Sequence, residues 1–282
     1  MGDARNVNAL FNYLDIDQGK PAYYLYQPDN EEPIERPKNA KHLMKVTDVR
    51  SRLGDLSLDV EGIDMLSSAS NVPDFYDSES VKATYYPEVE EIVREHTGAT
   101  KVLVFDHNVR CGPRHDAAEK GVSYPVRFAH NDYTIDSGPQ RVKDLLPDEA
   151  DYLLKYRFAV INVWRPINHP VQDVPLAVCD ASTMEQKDFV ATDLVYPDRT
   201  GEIYSVKHQN RHRWFFVSDM KPDEVMLLKC YDSDATVARF TAHSAFNDPE
   251  APEGAPSRES IEAVSYTHLR AHETDSYLVC RL

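Results

Sequence analysis

The side chains best suited to chemistry in this sequence are His130 and Asp132, in the segment YPVRFAHNDYT, and His243, in ARFTAHSAFNDP. Two imidazoles and one carboxylate on one face of a metal ion, with open positions opposite, form the ligand set of non-haem Fe(II) oxygenases. The set contains no thiolate, which disfavours a structural zinc site. The three residues therefore predict a catalytic iron centre in which each of them is a metal ligand.

The His-x-Asp triplet alone is weak, because a chain with 11 histidines and abundant aspartate contains one by chance about as often as not. It is strengthened because no second triplet of this kind occurs and because Arg258 and Ser260 follow His243. A guanidinium binds carboxylates bidentately, so Arg258, helped by the hydroxyl of Ser260, suits the far carboxylate of 2-oxoglutarate. The alternative is a surface arginine in the proline-rich loop EAPEGAPSRES.

Bringing these residues together requires a fold in which the ends of distant strands meet. His130 ends an early predicted strand, and His243 ends a late one. Between them, short β-rich segments recur at regular spacing, separated by turn residues: RFAVINVWRP, VPLAVCD, DFVATDLVY, GEIYSVKH, HRWFFVSD, EVMLLKCYD and VARFTAH. The pattern predicts a β-rich α+β fold, a double-stranded β-helix (jelly roll, cupin-like), whose mouth can join such strand ends. Flanking helices are predicted at 79–97 and 140–156.

The composition is that of an ordinary globular protein, with 282 residues, 41% hydrophobic and 28% charged. We expect one jelly-roll domain over residues 1–263, opened by an irregular N-terminal extension over residues 1–20. The net charge of −16 repels phosphate backbones, so no nucleic-acid partner is expected. No apolar run could span a bilayer and no secretory signal is visible. We therefore expect no membrane partner. Four dispersed cysteines without a CxxC motif predict reduced thiols, and therefore a cytoplasmic protein.

Several ordered motifs resemble one family: VFDHNVR, AHNDYT, INVWRP, PLAVCDAST, WFFVSDM, LLKCYDS, TAHSAFNDP and PSRESIE. These are the gibberellin desaturase-like hydroxylases and desaturases of fungi and bacteria, related to the cephem-methoxylase accessory chain and to oxygenases of secondary metabolism. The resemblance runs from about residue 8 to residue 263. It implies a jelly-roll Fe(II)/2-oxoglutarate-dependent dioxygenase that hydroxylates or desaturates a small molecule with O2, and it suggests a homodimer. In this family His130, Asp132 and His243 match the iron ligands, and Arg258 and Ser260 match the 2-oxoglutarate site.

Two other functions stay open. One is a cupin-like binding or scaffold protein that has lost catalysis. The other is a methyltransferase, because relatives are often given that label, although no glycine-rich S-adenosylmethionine loop follows a strand here. Five polar or aromatic residues near the predicted site are further candidates for roles in it: Asn108, Arg110, Asn162, Trp164 and Arg165.

The last nineteen residues, 264–282, resemble the translation of a sequencing adapter. Relatives continue at this point into another short hydrophobic strand. We therefore expect residues 264–282 to be a non-native tail that makes few contacts with the jelly roll. A segment that buries little apolar surface cannot offset its ordering entropy.

Overall fold

The computed structural model of the chain describes residues 5–15, 19–26 and 36–269. In these ranges the strands are β1 Asn6–Leu14, β2 Ala22–Tyr24, β3 Asn39–Asp48, β4 Ile63–Ser67, β5 Lys101–Cys111, β6 Val122–Ser123, β7 His130–Asn131, β8 Phe158–Pro166, β9 Leu176–Cys179, β10 Phe189–Val195, β11 Thr200–Val206, β12 Trp214–Phe216, β13 Glu224–Asp232, β14 His243–Ala245 and β15 Glu259–His268. The α-helices there are α1 Ser78–Ser80, α2 Tyr86–Thr97, α3 Gly112–Asp116, α4 Ser137–Leu145 and α5 Ala150–Leu153. Short 3-10 turns cover Arg50–Asp55, Ala181–Thr183 and Gln186–Asp188, and a π-helical turn covers Val81–Tyr85.

The strands of the described ranges form two sheets. The larger has nine strands in the order β1-β3-β12-β9-β14-β7-β11-β10-β2, and the smaller has six in the order β4-β13-β8-β15-β5-β6. Most neighbouring strands come from distant parts of the chain, as a jelly roll requires. The predicted β-rich, jelly-roll-like fold with few helices is confirmed.

Alternation along β8 shows how the smaller sheet divides the apolar core. Val160 and Trp164 belong to the cluster between the two sheets, together with residues of β9 and β12. Ile161 and Val163 point to the other side of the sheet, where they pack in one apolar cluster with Val89 and Val93 of α2. Both sets are buried because successive side chains of a strand face opposite ways, and both faces of β8 are covered.

The helices lie near their predicted positions. Helix α2 ends at Gly98, which adopts φ 66° in the left-handed region that glycine tolerates best. The second predicted helix is split into α4 and α5 around Pro147, since proline cannot continue the hydrogen-bond ladder. In the described ranges, none of the helices combines the length and apolar character needed to cross a membrane.

The N-terminal extension was predicted wrongly as an irregular arm. Residues Asn6–Leu14 form β1, which pairs antiparallel with β3 along its whole length. Val7, Phe11 and Tyr13 are buried on its inner side. Alternation over NVNALFNYL, one apolar residue at every second position, was the signal for this strand.

The prediction that the residues after 263 make few contacts is also wrong for residues 264–269. Strand β15 continues to His268 and is paired with β5 on one side and β8 on the other. Residues Val264, Ser265, Tyr266 and Thr267 are all buried. This short alternating segment therefore provides the strand that was expected to be missing, because two neighbouring strands supply its hydrogen bonds. The rest of the predicted tail lies outside the described residues.

Candidate metal centre

His130 and His243 are brought together by direct strand pairing. Strand β7 lies between β11 and β14, and His243 of β14 is the cross-strand partner of His130. The centroids of the two imidazole rings are 4.4 Å apart. Both side chains are buried, with 6% and 3% of their residue surface exposed. The structure therefore unites the two histidines that the sequence suggested.

The backbone fixes which ring nitrogens face the centre. The Nδ1 atom of His130 lies 2.8 Å from the carbonyl oxygen of Phe128, and that of His243 lies 3.0 Å from the carbonyl oxygen of Thr241. A carbonyl can only accept, so each Nδ1 carries the proton and donates it. Each Nε2 is then left with its lone pair, which is the form that ligates a metal ion.

Asp132 completes the group just after β7 ends. Its Oδ1 lies 3.5 Å from the Nε2 of His130 and 3.8 Å from the Nε2 of His243. Its other oxygen, Oδ2, accepts a hydrogen bond of 2.6 Å from Nδ2 of Asn162 and a longer one from the thiol of Cys230. Within the described ranges, these three side chains are the group of three or more metal-ligating residues whose ligand atoms all lie within 4.8 Å of one another.

The electrostatics favour the ligand forms of these side chains. Burial, reinforced by His243, lowers the pKa of His130 to about 4, so its ring is neutral at neutral pH. Burial alone would raise the pKa of Asp132, but the two histidines and the hydrogen bond from Asn162 hold it below its usual value. A neutral imidazole beside an ionised carboxylate fits a divalent cation. The donor set therefore fits Fe(II).

Two residues that the sequence analysis missed hold this arrangement. Asn131 bonds the carbonyl oxygens of Tyr133 and Cys230 through Nδ2, and its Oδ1 accepts from the backbone N–H of Thr241. Gly62 adopts φ 82°, and a Cβ at this position would collide with the hydroxyl of Thr241. Only the position of Asn131 inside His130-Asn131-Asp132 could have suggested its role.

Arg258 and Ser260, the residues predicted to bind 2-oxoglutarate, contact each other and are both buried. The Nε of Arg258 donates to the hydroxyl of Ser260 and its Nη1 donates to the carbonyl oxygen of Val174, both at 3.0 Å. Its guanidinium also lies 5.3 Å from the ring centroid of Trp164. Burial lowers the pKa of Arg258 to about 9, so the group stays charged at neutral pH. No carboxylate of the described residues forms an ion pair with it, and a buried cation of this kind fits an organic acid such as 2-oxoglutarate.

A cavity of about 1210 Å³ opens onto the metal centre, with His130 and Asp132 in its wall. Arg258 and Ser260 do not line it, contrary to the expectation that Arg258 would point into the same space. The reason is that the guanidinium is turned onto its own Ser260 and onto Val174. Arg110, the cross-strand partner of Ser260, lines the cavity instead.

The five further candidates divide between the two sides of the smaller sheet. Asn108 and Arg110 line the cavity, and Asn162 supports Asp132. Trp164 contacts Arg258. Arg165 faces away from the site, where its guanidinium lies over the ring of Tyr85.

Glu262, which the sequence analysis did not single out, lines the cavity with only 8% of its surface exposed. Burial, with Asp132 nearby, raises the pKa of its carboxyl group.

A jelly-roll-like fold that carries two histidines and one aspartate at the mouth defines the class of cupin-like, metal-dependent oxidoreductases. Comparison with known proteins gives the particular family. Residues 11–266 match the family described as "Oxidoreductase/YMDC permease-like domain". The chain is 34% identical over 240 residues to the hydroxylase/desaturase efuI of Hormonema carpetanum, covering 77% of this chain and 80% of that protein.

Two further comparisons agree. The alpha-ketoglutarate-dependent dioxygenase phiK of a fungal species is 35% identical over 231 residues, which are 78% of this chain and 81% of that protein. A variant of the iron and alpha-ketoglutarate-dependent endoperoxidase NvfI superposes with a TM-score of 0.86 at 26% identity, over 95% of this chain and 99% of that chain. The chain belongs to the family of fungal hydroxylase/desaturases and Fe(II)/2-oxoglutarate-dependent dioxygenases.

Proposed function

We propose that this chain is an Fe(II)/2-oxoglutarate-dependent dioxygenase that hydroxylates or desaturates a small organic molecule, a secondary metabolite. The observation that carries the proposal is the convergence of the Nε2 atoms of His130 and His243 on Oδ1 of Asp132. The names of the fungal relatives support the same class of reaction. The large cavity supports a substrate bigger than the cofactor alone.

The residues of the site would divide between holding the iron and binding 2-oxoglutarate. His130, Asp132 and His243 would hold the iron, while Asn162 fixes Oδ2 of Asp132 so that Oδ1 faces the metal position. Arg258, oriented by Ser260, would bind the far carboxylate of 2-oxoglutarate. When bound, Fe(II) and 2-oxoglutarate supply with O2 the oxidising power needed to break a C–H bond of the substrate. The cavity walls position that bond and keep bulk water away.

The proposal is tested by reconstitution. Protein purified without metal is loaded with Fe(II) under nitrogen, and iron content is measured for the wild type and for His243→Ala. We expect one iron per wild-type chain and succinate release when 2-oxoglutarate and air are added, with both lost in the variant. Wild-type protein that binds no iron, or that forms no succinate, would refute the proposal.

Two alternatives are decided by the same samples. An inactive cupin-like binding protein would retain ligands without forming succinate. A methyltransferase would bind S-adenosylmethionine, which calorimetry detects directly. Mass spectrometry after incubation with a panel of fungal metabolites then distinguishes hydroxylation, which adds one oxygen atom, from desaturation, which removes two hydrogen atoms. A gain of two oxygen atoms would match the reaction named for the solved endoperoxidase.

The small-molecule substrate and O2 are the partners that the family implies. We further propose that the chain acts in the cytoplasm, without nucleic-acid or membrane partners, and forms a homodimer. The exposed pair Leu10 and Leu43, cross-strand partners on β1 and β3, supports a protein contact at the sheet edge because each keeps more than half of its surface exposed. Light scattering of the wild type and of Leu43→Lys tests the dimer, which the variant should weaken.

A further inference from the structure

Glu262 has no assigned role in the metal centre, yet it is buried beside it. Its residue surface is 8% exposed, and its side chain lines the cavity. Among the described residues it has no hydrogen-bond or ion-pair partner. It also lies outside the three-residue group that could hold the metal. A buried carboxyl group without a partner is costly and needs an explanation, and a bound ligand that completes its hydrogen bonds provides one.

Asn108 lies next to Glu262. The two residues are cross-strand partners on β15 and β5, and both line the cavity. The side chain of Asn108 is half-buried and makes no hydrogen bond to another described residue. An amide that can donate therefore stands beside a carboxyl that can accept, and neither is used by the protein.

Strand register places this pair close to the metal centre. Glu262 is two residues before Val264, so both face the cavity, and Val264 pairs with Asn162. Asn162 in turn donates to Asp132. A ligand group held between Glu262 and Asn108 would therefore lie next to Val264 and Asn162, on the side of the sheet that faces Asp132.

Another part of the cavity wall has a different character. It is built from aromatic and aliphatic side chains of the N-terminal segment, of the loop before β7 and of the β10–β11 hairpin: Tyr23, Tyr24, Leu25, Phe128, Leu194 and Tyr196. Such a wall binds the apolar body of a molecule through burial of its surface. The cavity thus offers one polar pair and one apolar wall.

We propose that Glu262 and Asn108 form a subsite for a hydroxyl group of the substrate, and that the substrate is an alcohol with an apolar skeleton. The hydroxyl donates to Glu262 and accepts from Asn108, which satisfies both buried groups at once. This inference rests on the proposed dioxygenase function, because it assigns the substrate of that same site. Glu262 and Asn108 orient the apolar skeleton by holding its hydroxyl group, while the metal ligands take no part in binding the hydroxyl.

The test uses three terpenoid alcohols of increasing ring number, menthol, borneol and cedrol, each paired with its methyl ether. Dissociation constants are measured by tryptophan fluorescence under nitrogen, with protein carrying Fe(II) and 2-oxoglutarate. We expect at least one alcohol to bind wild type about tenfold tighter than its ether, which is the ratio for one hydrogen bond. Glu262→Leu should abolish that preference, whereas Glu262→Gln, which still accepts, should retain most of it.

Asp136→Leu is the matched control, because Asp136 is another carboxylate of the same cavity but is exposed. It should keep the preference for the alcohol. If Glu262→Leu does not fold, as circular dichroism would show, Asn108→Leu serves as the second variant and should reduce the preference in the same direction.

The proposal is overturned if no alcohol binds better than its ether, or if the preference is unchanged in Glu262→Leu and in Asn108→Leu. Iron content and succinate release measured on the same samples separate this failure from failure of the dioxygenase function. Protein that binds iron and forms succinate, but shows no dependence on Glu262, would contradict the subsite alone.

Discussion

His130 and His243 are direct cross-strand partners, and each ring is oriented by a hydrogen bond to a backbone carbonyl two residues earlier in the chain. Because the two hydrogen bonds have the same geometry along the chain, the backbone directs both Nε2 atoms into the same space. Asp132 Oδ1 lies 3.5 Å from the Nε2 of His130 and 3.8 Å from the Nε2 of His243, so it borders the same space. A site held in this way needs little rearrangement to bind a metal ion, which favours affinity and geometric precision.

Asn162→Ala should weaken iron binding without removing a ligand. The substitution deletes the hydrogen bond to Oδ2 of Asp132, which orients the carboxylate. We expect a loss of about 10–100-fold in Fe(II) affinity, the usual cost of removing such a support. Competition with a chelator measures this affinity. Ser265→Ala, which removes another buried hydrogen bond of the same sheet, is the control and should leave it unchanged.

Arg258→Ala should weaken binding of 2-oxoglutarate by about 1.5–3 kcal/mol, as for loss of a charge-assisted hydrogen bond. Iron affinity should change little, because Arg258 does not belong to the metal-ligating group. Calorimetry with 2-oxoglutarate measures the first effect and chelator competition the second. Arg110→Ala is the comparison, since Arg110 lines the cavity and is the cross-strand partner of Ser260. A larger loss in Arg110→Ala would assign the cofactor to that arginine instead.

Truncation after Ala263 should destabilise the domain relative to the chain that ends at Leu269. The first removes the second half of β15, including Tyr266, which is 1% exposed and lies 5.9 Å from the ring of Phe158. Tyr266→Ala alone should cost about 3–5 kcal/mol, as for other buried aromatic side chains. Urea unfolding of the three proteins provides the measurement. Equal stability of the chain ending at Ala263 and the chain ending at Leu269 would mean that this half of β15 contributes nothing.

His212 should make stability fall on mild acidification. Its side chain is fully buried between Tyr13 and Asp188, and burial lowers its pKa although Asp188 opposes the shift. In the unfolded chain a histidine protonates near pH 6.5. In the folded protein His212 protonates only at lower pH, so below about pH 6.5 the unfolded state binds more protons than the folded state. The free energy of unfolding should therefore decrease between about pH 7 and pH 5. His212→Gln should show a shallower decrease than wild type, and parallel curves would contradict this assignment.

The convergence of His130, Asp132 and His243, the fold class and helix α2 could be predicted from the sequence, because motifs and strand-like segments indicate them. His130 and Asp132 are two residues apart, His243 ends a predicted strand although in the structure it begins β14, and Gly98 marks a helix end. Strand pairing was less accessible. The N-terminal segment was assigned to an irregular arm, although alternation over Asn6–Leu14 indicated the strand that β3 completes.

The segment after Ala263 and the side chain of Arg258 show why the rest could not be predicted. The four residues from Val264 to Thr267 form a strand only because β5 and β8 lie on either side of them, a tertiary effect that overrides local preference. Likewise, the motif identified Arg258 and Ser260 as partners, but the direction of the guanidinium depends on Val174, which is distant in sequence. Glu262 gave no local signal, because its importance lies in burial without a partner.

The central claim is that His130, Asp132 and His243 together hold Fe(II). Crystals grown under nitrogen with Fe(II) and 2-oxoglutarate, measured at the iron absorption edge, test it most directly. We predict one anomalous peak at about 2.0–2.2 Å from both Nε2 atoms and from an oxygen of Asp132, the usual range for first-row metals with these ligands. Absence of a peak between these three side chains, or a peak at a different group of residues, would contradict the account.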